Sequence, residues 1–555
     1  MNKHTAALLE QHFDTAFAAP DGIKKLRELI LTLAMQGKLV PQDPNDPPVS
    51  ELLKDIETEK KRLVKECKIK APKPLPPVTA EEMPYALPLG WEWVRLGEFS
   101  DYNGRQNINP SDIANDVWLL DLEDIEKETS RLLYRANYSE RESKSTKSTF
   151  KAGDVLYGKL RPYLNKVLVA DEDGVCTTEI VPIVPTSAVT SSFLLWQLKR
   201  PSFLAHVNAL MYGVKMPRLG TEDAVRSVHP LPPRPEQHRI VAKIDQLMAR
   251  CDALEKLRAA QHEKRMTVHA AAIQQLLNIA AADEHLRAQA FLTEHFSELY
   301  TVKENVTELR KAILQLAVMG KLVPQDPNDP PASELLKDIE AEKKRLVKEG
   351  KIKALKPLAE IKPEEAPYEL PEGWEWVRFF TVNTVQSELV SAKDFPFENQ
   401  IAPDSIDKGN GRLLFHRTVA DCGAIGPNNR FYEGQILYSK IRPSLNKAVI
   451  APYDGLCSAD MYPIKTHVDV NFMLEVILSE VFLAQVLHAE NRIKMPKLNL
   501  ESLGQFAVPL PPLPEQHRIV AKIDQLMTLC DTLDQQIAAA TNKQTELLNA
   551  VMAEV

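Results

Sequence analysis

KLVPQDPNDPPVSELLKDIETEKKRLVKECKIKA, residues Lys38–Ala71, returns at Lys321–Ala354 as KLVPQDPNDPPASELLKDIEAEKKRLVKEGKIKA. The copies differ only at Val49/Ala332, Thr58/Ala341 and Cys67/Gly350, so 31 of 34 positions are identical at an offset of 283. Agreement of that length decides the architecture before propensity is considered, because it makes the chain an internal repeat. The same offset aligns Ala7–Phe17 with Ala290–Tyr300, and LPLGWEWVR at Leu87 with LPEGWEWVR at Leu370. Farther on, GDVLYGKLRPYLNKVLVA at Gly153 matches GQILYSKIRPSLNKAVIA at Gly434 at an offset of 281, and Pro230–Glu255 matches Pro509–Asp534 at 279. Between these anchors, Gly97–Phe150 and Phe379–Phe431 share little, so near-identical segments alternate with divergent ones.

The near-identical segments read as helices. Ile240, Ile244, Leu247, Cys251 and Leu254 follow a 4-3-4-3 spacing, and Ile519, Ile523, Leu526, Cys530, Leu533 and Ile537 repeat it, which is a heptad seam. Each seam follows a proline run, PLPPRPEQHR or PLPPLPEQHR. Pro235 and Pro514 suit the first helical position there, and Glu236 and Glu515 suit the positive helix end. PQDPNDPP before SELLKDIE reads as a turn followed by an N-cap at Ser50 or Ser333. GDVLYGKLRP and GQILYSKIRP are short alternating runs closed by Arg-Pro, which is strand and turn chemistry.

Composition narrows the class. A chain of 555 residues predicts three to four domains, and 44% hydrophobic with 26% charged residues is ordinary for a globular protein. No apolar run approaches the roughly 18 residues of a membrane span, and Met1–Phe13 lacks an apolar signal core, so a cytoplasmic protein without a membrane partner is expected. The 6 cysteines are scattered without a CxxC pair, which points to reduced packing residues. A net charge of -8 excludes a protein that coats nucleic acid indiscriminately and confines any DNA-binding face to a local patch.

The catalytic search is empty. Each Gly-Lys pair (Gly37, Gly158, Gly320, Gly350) is followed by Leu or Ile, so none supplies the hydroxyl of a phosphate loop. There is no GxGxxG, HExxH or GxSxG. The Asn-Asp-Pro-Pro at Asn45 and Asn328 is not the Asn-Pro-Pro-aromatic tetrad of amino methyltransferases, because an Asp intervenes and no aromatic follows. His238 and His517 stand alone, without a metal partner at ligand spacing.

With GWEWVRLGE at Gly90, PLPPLPEQHRIVAKIDQLM at Pro509 and two variable regions between repeated helices, the chain resembles the specificity subunits of type I restriction-modification systems over essentially its whole length. The resemblance implies a non-enzymatic reader of double-stranded DNA. Its fold would be α+β, with two mixed α/β target-recognition domains separated by long conserved helices that form an antiparallel coiled coil. Each domain would bind one half of a split, asymmetric site. Two methyltransferase subunits and restriction-translocase subunits would be the partners. S-adenosylmethionine, ATP and Mg would sit on those partners, and this chain would hold no cofactor or metal. The alternative is a stand-alone DNA-binding regulatory or architectural protein of the same fold. Mapped here, the parts are an N-terminal helical segment (1–84), recognition domains at 85–229 and 368–508, a central helical region (230–367) and a C-terminal helix (509–555).

Two inferences come from the repeat itself. The central helical unit is continuous, whereas its second copy is split between the chain's beginning and end. The two terminal segments should therefore meet in a circular, pseudo-twofold arrangement with two equivalent partner surfaces. Residues common to both variable regions cannot discriminate different half-sites and are framework or phosphate contacts. These are Lys159, Arg161, Asn165 and Lys166 with Lys440, Arg442, Asn446 and Lys447, and Lys215 and Arg218 with Lys494 and Lys497. Base readers belong in divergent stretches, where Arg105, Gln106, Asn107, Asn428, Asn429 and Arg430 carry major-groove chemistry. Arg141–Lys166 holds seven Lys/Arg against Glu142 and Asp154, a local +5 suited to non-specific affinity.

Overall fold

The computed structural model describes residues 3–66, 74–141, 144–210, 216–278, 282–352, 357–489 and 496–553. The chain divides into two compact units, 1–260 with 540–555, and 261–539. In the first, helices Lys3–Phe17, Gly22–Met35 and Val49–Lys65 precede the variable domain and the long helix Arg234–Leu277 follows it. In the second, Lys303–Val318 and Ala332–Lys348 precede the variable domain and the long helix Leu513–Ala553 follows. Each long helix begins in one unit and contributes its last residues to the other. Long helices and two sheet-rich domains make the α+β class that was expected.

The first half of each heptad seam packs on helices of its own unit. Ile240, Ile244 and Cys251 share a core with Ile30, Ala34 and Ile56. Ile519, Ile523 and Cys530 do the same with Ile313, Ala317 and Ile339. A 4-3 spacing specifies an apolar stripe, and any helix of matching stripe can fill it. Arg27 locks the first packing through Asp252 and Glu255 at 2.6 and 2.7 Å, and Arg310 locks the second through Asp531 and Asp534 at 2.8 and 2.9 Å. The terminal segments meet as expected: Leu548 is buried against Ala16, Phe17, Ala19 and Leu29. In the second unit the equivalent place is filled by Ala272, Ile273 and Leu276 in the core that holds Leu299 and Tyr300.

The three repeated motifs converge on one carboxylate. Glu236, 1% exposed at the start of the long helix, accepts from Trp91 Nε1 at 2.9 Å and from Gln42 Nε2 at 2.9 Å. Glu515 accepts from Trp374 at 2.8 Å and Gln325 at 3.1 Å. Asp46 and Asp329 of the Asn-Asp-Pro-Pro turns pair with Arg239 and Arg518, each at 2.6 Å. The turns are therefore structural. The expected caps at Ser50 and Ser333 are corrected: the helices start one residue earlier, at Val49 and Ala332, whose N–H groups donate to Gly90 O and Gly373 O. A backbone carbonyl in the turn just before the Trp-containing strand already satisfies each of these N–H groups, so no side-chain cap is required.

A strap before each variable domain is buttoned by an arginine. Arg95, 4% exposed, binds Glu82 at 2.8 Å and the carbonyls of Pro76 and Pro77. Arg378 does the same with Glu365 at 2.7 Å and the carbonyls of Ala359 and Glu360. The guanidinium holds each carboxyl down at about 2. A depressed folded-state pKa stabilises above the unfolded value near 4.5, and that contribution drains away as pH falls toward 2. E82Q/E365Q is expected to flatten the fall of melting temperature between those limits; a slope equal to wild type would refute the strap's role.

Each variable domain closes at its base with a two-stranded ribbon, Glu92–Arg95 against Val228–Leu231 and Glu375–Arg378 against Ala507–Leu510. A four-stranded antiparallel sheet follows, in the order Ser100–Tyr102, Ile180–Pro185, Val155–Gly158, Val167–Val169. The second domain repeats it with Asn383–Val385, Met461–Thr466, Ile436–Ser439 and Ala448–Ile450. The divergent segments also fold alike. Asn107–Ile108, Lys147–Phe150, Gly174–Thr177 and Trp118–Leu120 form a sheet in that order, extended by Ala136–Asn137; Leu389–Ser391, Pro427–Phe431, Gly455–Ser458 and Gln400–Ile401 follow the same order. One constraint spans both: a Cβ on Gly174 would lie 2.5 Å from the Phe150 ring, and one on Gly455 2.9 Å from Phe431. Among the described residues no single helix is long and apolar enough to cross a membrane.

Candidate nucleic-acid interface

The residues shared by both variable domains converge on one turn. Strand Val155–Gly158 leads through Lys159 to Arg161, a short 3-10 turn at Pro162–Leu164, and Asn165. Arg161 and Asn165 both have positive φ (49° and 50°), as do Arg442 and Asn446 (both 44°). A non-glycine residue in this region costs on the order of 1–3 kcal/mol and persists only where surrounding structure fixes it. The fixing comes from the second shared motif: Arg161 N donates to Pro217 O at 2.8 Å and Leu219 N to Lys159 O at 3.1 Å. In the other domain Arg442 N donates to Pro496 O at 3.0 Å and Leu498 N to Lys440 O at 2.8 Å. The frame thus presents Arg161 and Arg442 outward, both exposed and with no intramolecular side-chain partner among the described residues.

The other backbone candidates divide. Lys159 and Lys440 are half-buried beside the turn, with Lys440 Nζ 5.4 Å from the Tyr462 ring. Asn165, Lys166, Asn446 and Lys447 serve the framework instead. Asn446, 4% exposed, donates to Ile477 O at 3.0 Å, and Asn165 donates to Lys199 O at 3.5 Å. Lys166 Nζ donates to Leu122 O at 2.6 Å, and Lys447 Nζ donates to Pro403 O. Arg218 is engaged by Glu179 at 2.8 Å and Lys497 by Asp460 at 3.1 Å. Lys215 and Lys494 lie outside the described residues. Two members of the +5 stretch are turned inward: Arg141 is paired with Asp121 and Asp124, and Lys147 is 4% exposed.

Among the base-reading candidates, Gln106 and Asn107 are exposed, although Asn107 Oδ1 accepts from Ser148 Oγ at 3.0 Å. The others are corrected. Asn428 and Asn429, 5% and 3% exposed, sit in an inner strand; Asn429 accepts from Ser387 at 2.7 Å and donates to Met461 O at 3.1 Å. Arg430 lies 4.8 Å over the Phe395 ring between Glu388 and Glu398. Arg105 is held by both oxygens of Asp154, each at 2.7 Å, and Asp154 is 2% exposed. Residue type announces hydrogen-bonding capacity, but burial decides whether it is already satisfied.

The chain is similar to known proteins. Residues 427–542 match the type I restriction modification DNA specificity domain. The chain is 35% identical to the type I restriction enzyme EcoAI specificity subunit of Escherichia coli, over 96% of this chain and 93% of that protein. It is 33% identical to the EcoEI specificity subunit of the same organism, at the same coverages of 96% and 93%. A chain from a structure reported for complex assembly and conformational transition of the type I R-M system shares the fold, with TM-score 0.51, 18% identity, and coverage of 85% of this chain and 98% of that one. With two variable domains on one backbone frame and repeated helices around them, the chain thus belongs to the type I restriction-modification specificity subunits.

Proposed function

We propose that each variable domain reads one half of a split, asymmetric duplex site, and that the chain thereby directs adenine methylation and restriction by its partner subunits. One observation carries this: the two domains share topology and the Arg161/Arg442 turn, while the exposed positions of the edge strand differ, Gln106 and Asn107 standing where the second domain has Glu388 and Leu389. A constant frame with changed edges is what two different half-sites require. The equivalent helical surfaces fit two methyltransferase subunits, joined by restriction-translocase subunits, in the cytoplasm. S-adenosylmethionine, ATP and Mg belong to those partners in this reading.

Exchanging residues 85–229 for the corresponding domain of a relative with another specificity should change one half of the methylated motif and leave the other intact, as read by long-read methylation mapping. Change in both halves, or in neither, would count against the division of labour. R161A/R442A should weaken binding uniformly across sequences. It should also shallow the slope of log affinity against log salt by about 0.9 for each phosphate that the protein no longer neutralises. Altered preference at a single base pair would instead make these arginines readers.

A further inference from the structure

The divergent segments keep one short match that includes none of the DNA-contact candidates. Arg131-Leu132-Leu133-Tyr134 in the first domain corresponds to Arg412-Leu413-Leu414-Phe415 in the second, at the offset of 281. In both, the first leucine turns inward, bridging to Ile125 or Ile406. The next two residues stand in solvent: Leu133 is 60% and Tyr134 52% exposed, Leu414 56% and Phe415 45%. The display is fixed by the same backbone hydrogen bonds, Leu133 N to Asp124 O at 2.7 Å and Leu414 N to Ser405 O at 2.8 Å. An arginine lies 5.5 Å from each ring, Arg141 over Tyr134 and Arg417 over Phe415. These arginines come from unrelated sequence positions, so the ring-and-guanidinium pairing is reached twice by different routes.

We infer that these two apolar pairs are equivalent docking points for two copies of one protein partner, the methyltransferase subunit of the proposed assembly; the inference rests on that reading of function. A surface that discriminates bases must differ between the domains, whereas one that receives the same subunit twice must be the same, and this one is the same. The local charge is already balanced. Arg131 is engaged by Glu126, Arg141 by Asp124, Arg412 by Asp531 and Arg417 by Asp404. A rigid, charge-balanced, aromatic-and-leucine projection beside arginine is the composition of a protein-interface anchor that fills an apolar pocket.

The test uses the full chain co-expressed with its methyltransferase partner, carrying L133S/Y134S, L414S/F415S or all four changes. Native mass spectrometry and titration of the partner should show each pair variant holding one subunit normally and the other at least tenfold more weakly. The fourfold variant should hold neither well, with DNA binding by the specificity chain within twofold of wild type. Because the side chains are exposed, melting curves should be unchanged; where serine lowers them, L133K/L414K gives the same readout. A fourfold variant that assembles like wild type overturns the inference, as does intact assembly with weakened DNA binding, which would make the patch a DNA contact. A wild-type chain that binds no methyltransferase subunit would instead refute the functional reading beneath it.

Discussion

R105A is expected to cost the first unit about 3 kcal/mol, the low end for breaking a buried ion pair because the Arg105 side chain is 25% exposed. Asp154, 2% exposed, would keep, among the described residues, only the Lys151 N–H at 2.8 Å as a hydrogen-bond partner for its carboxylate. The second domain supplies the control. At the offset of 281, Gln386 stands for Arg105 and Gln435 for Asp154; Gln435 Nε2 donates to Gln386 Oε1 at 2.6 Å, and its Oε1 accepts from Tyr432 N at 2.9 Å. One domain thus holds the joint with a charge pair and the other with an amide pair. R105Q/D154Q should therefore recover most of the loss, with a coupling of at least about 1 kcal/mol between the substitutions. The midpoint of the first unit's urea transition, at constant slope, reads both numbers. Additive losses would mean that the two joints are not interchangeable.

That joint also marks where sequence reading stopped. The repeat, its long helices and the meeting of the terminal segments were legible because near-identity at a fixed offset needs no propensity argument. The common fold of the divergent segments was not. Strand order is kept there by scattered matches such as Phe150/Phe431 and Gly174/Gly455, and by paired changes such as Arg105–Asp154 to Gln386–Gln435, which no run of identities reveals. The Arg-Leu-Leu-aromatic match was visible at the established offset and was the signal available. Asn428 and Asn429 mislead for a physical reason: two polar residues in a row suggest a loop, yet each finds a partner inside a sheet covered on both faces. Arg161 and Arg442 were picked from identity alone, and what the sequence lacked was their left-handed backbone, imposed by a segment over 50 residues away.

Leu548 tests the circular packing. It is 1% exposed among Ala16, Phe17, Ala19 and Leu29, and Phe17 O also accepts from Arg258, so three stretches far apart in sequence close one core. L548A removes a packed side chain where the neighbouring helices are held by their own unit and cannot collapse into the space, so a loss of about 2–5 kcal/mol is expected. L548D, which buries a charge without a partner, should detach the last turns of the second long helix altogether. Hydrogen exchange localises the effect: protection should fall in Lys3–Phe17 and in the residues after Ala540, while Lys303–Val318 keeps its own. The same packing makes a stronger demand. Because the second unit fills the equivalent place with a covalently continuous segment, joining the chain's ends by a short linker and opening it between Leu277 and Ala282 should leave a folded protein with the parent's DNA and partner binding. A permuted chain that fails to fold while L548A costs less than about 1 kcal/mol would show that the ends pack without supporting the unit they close.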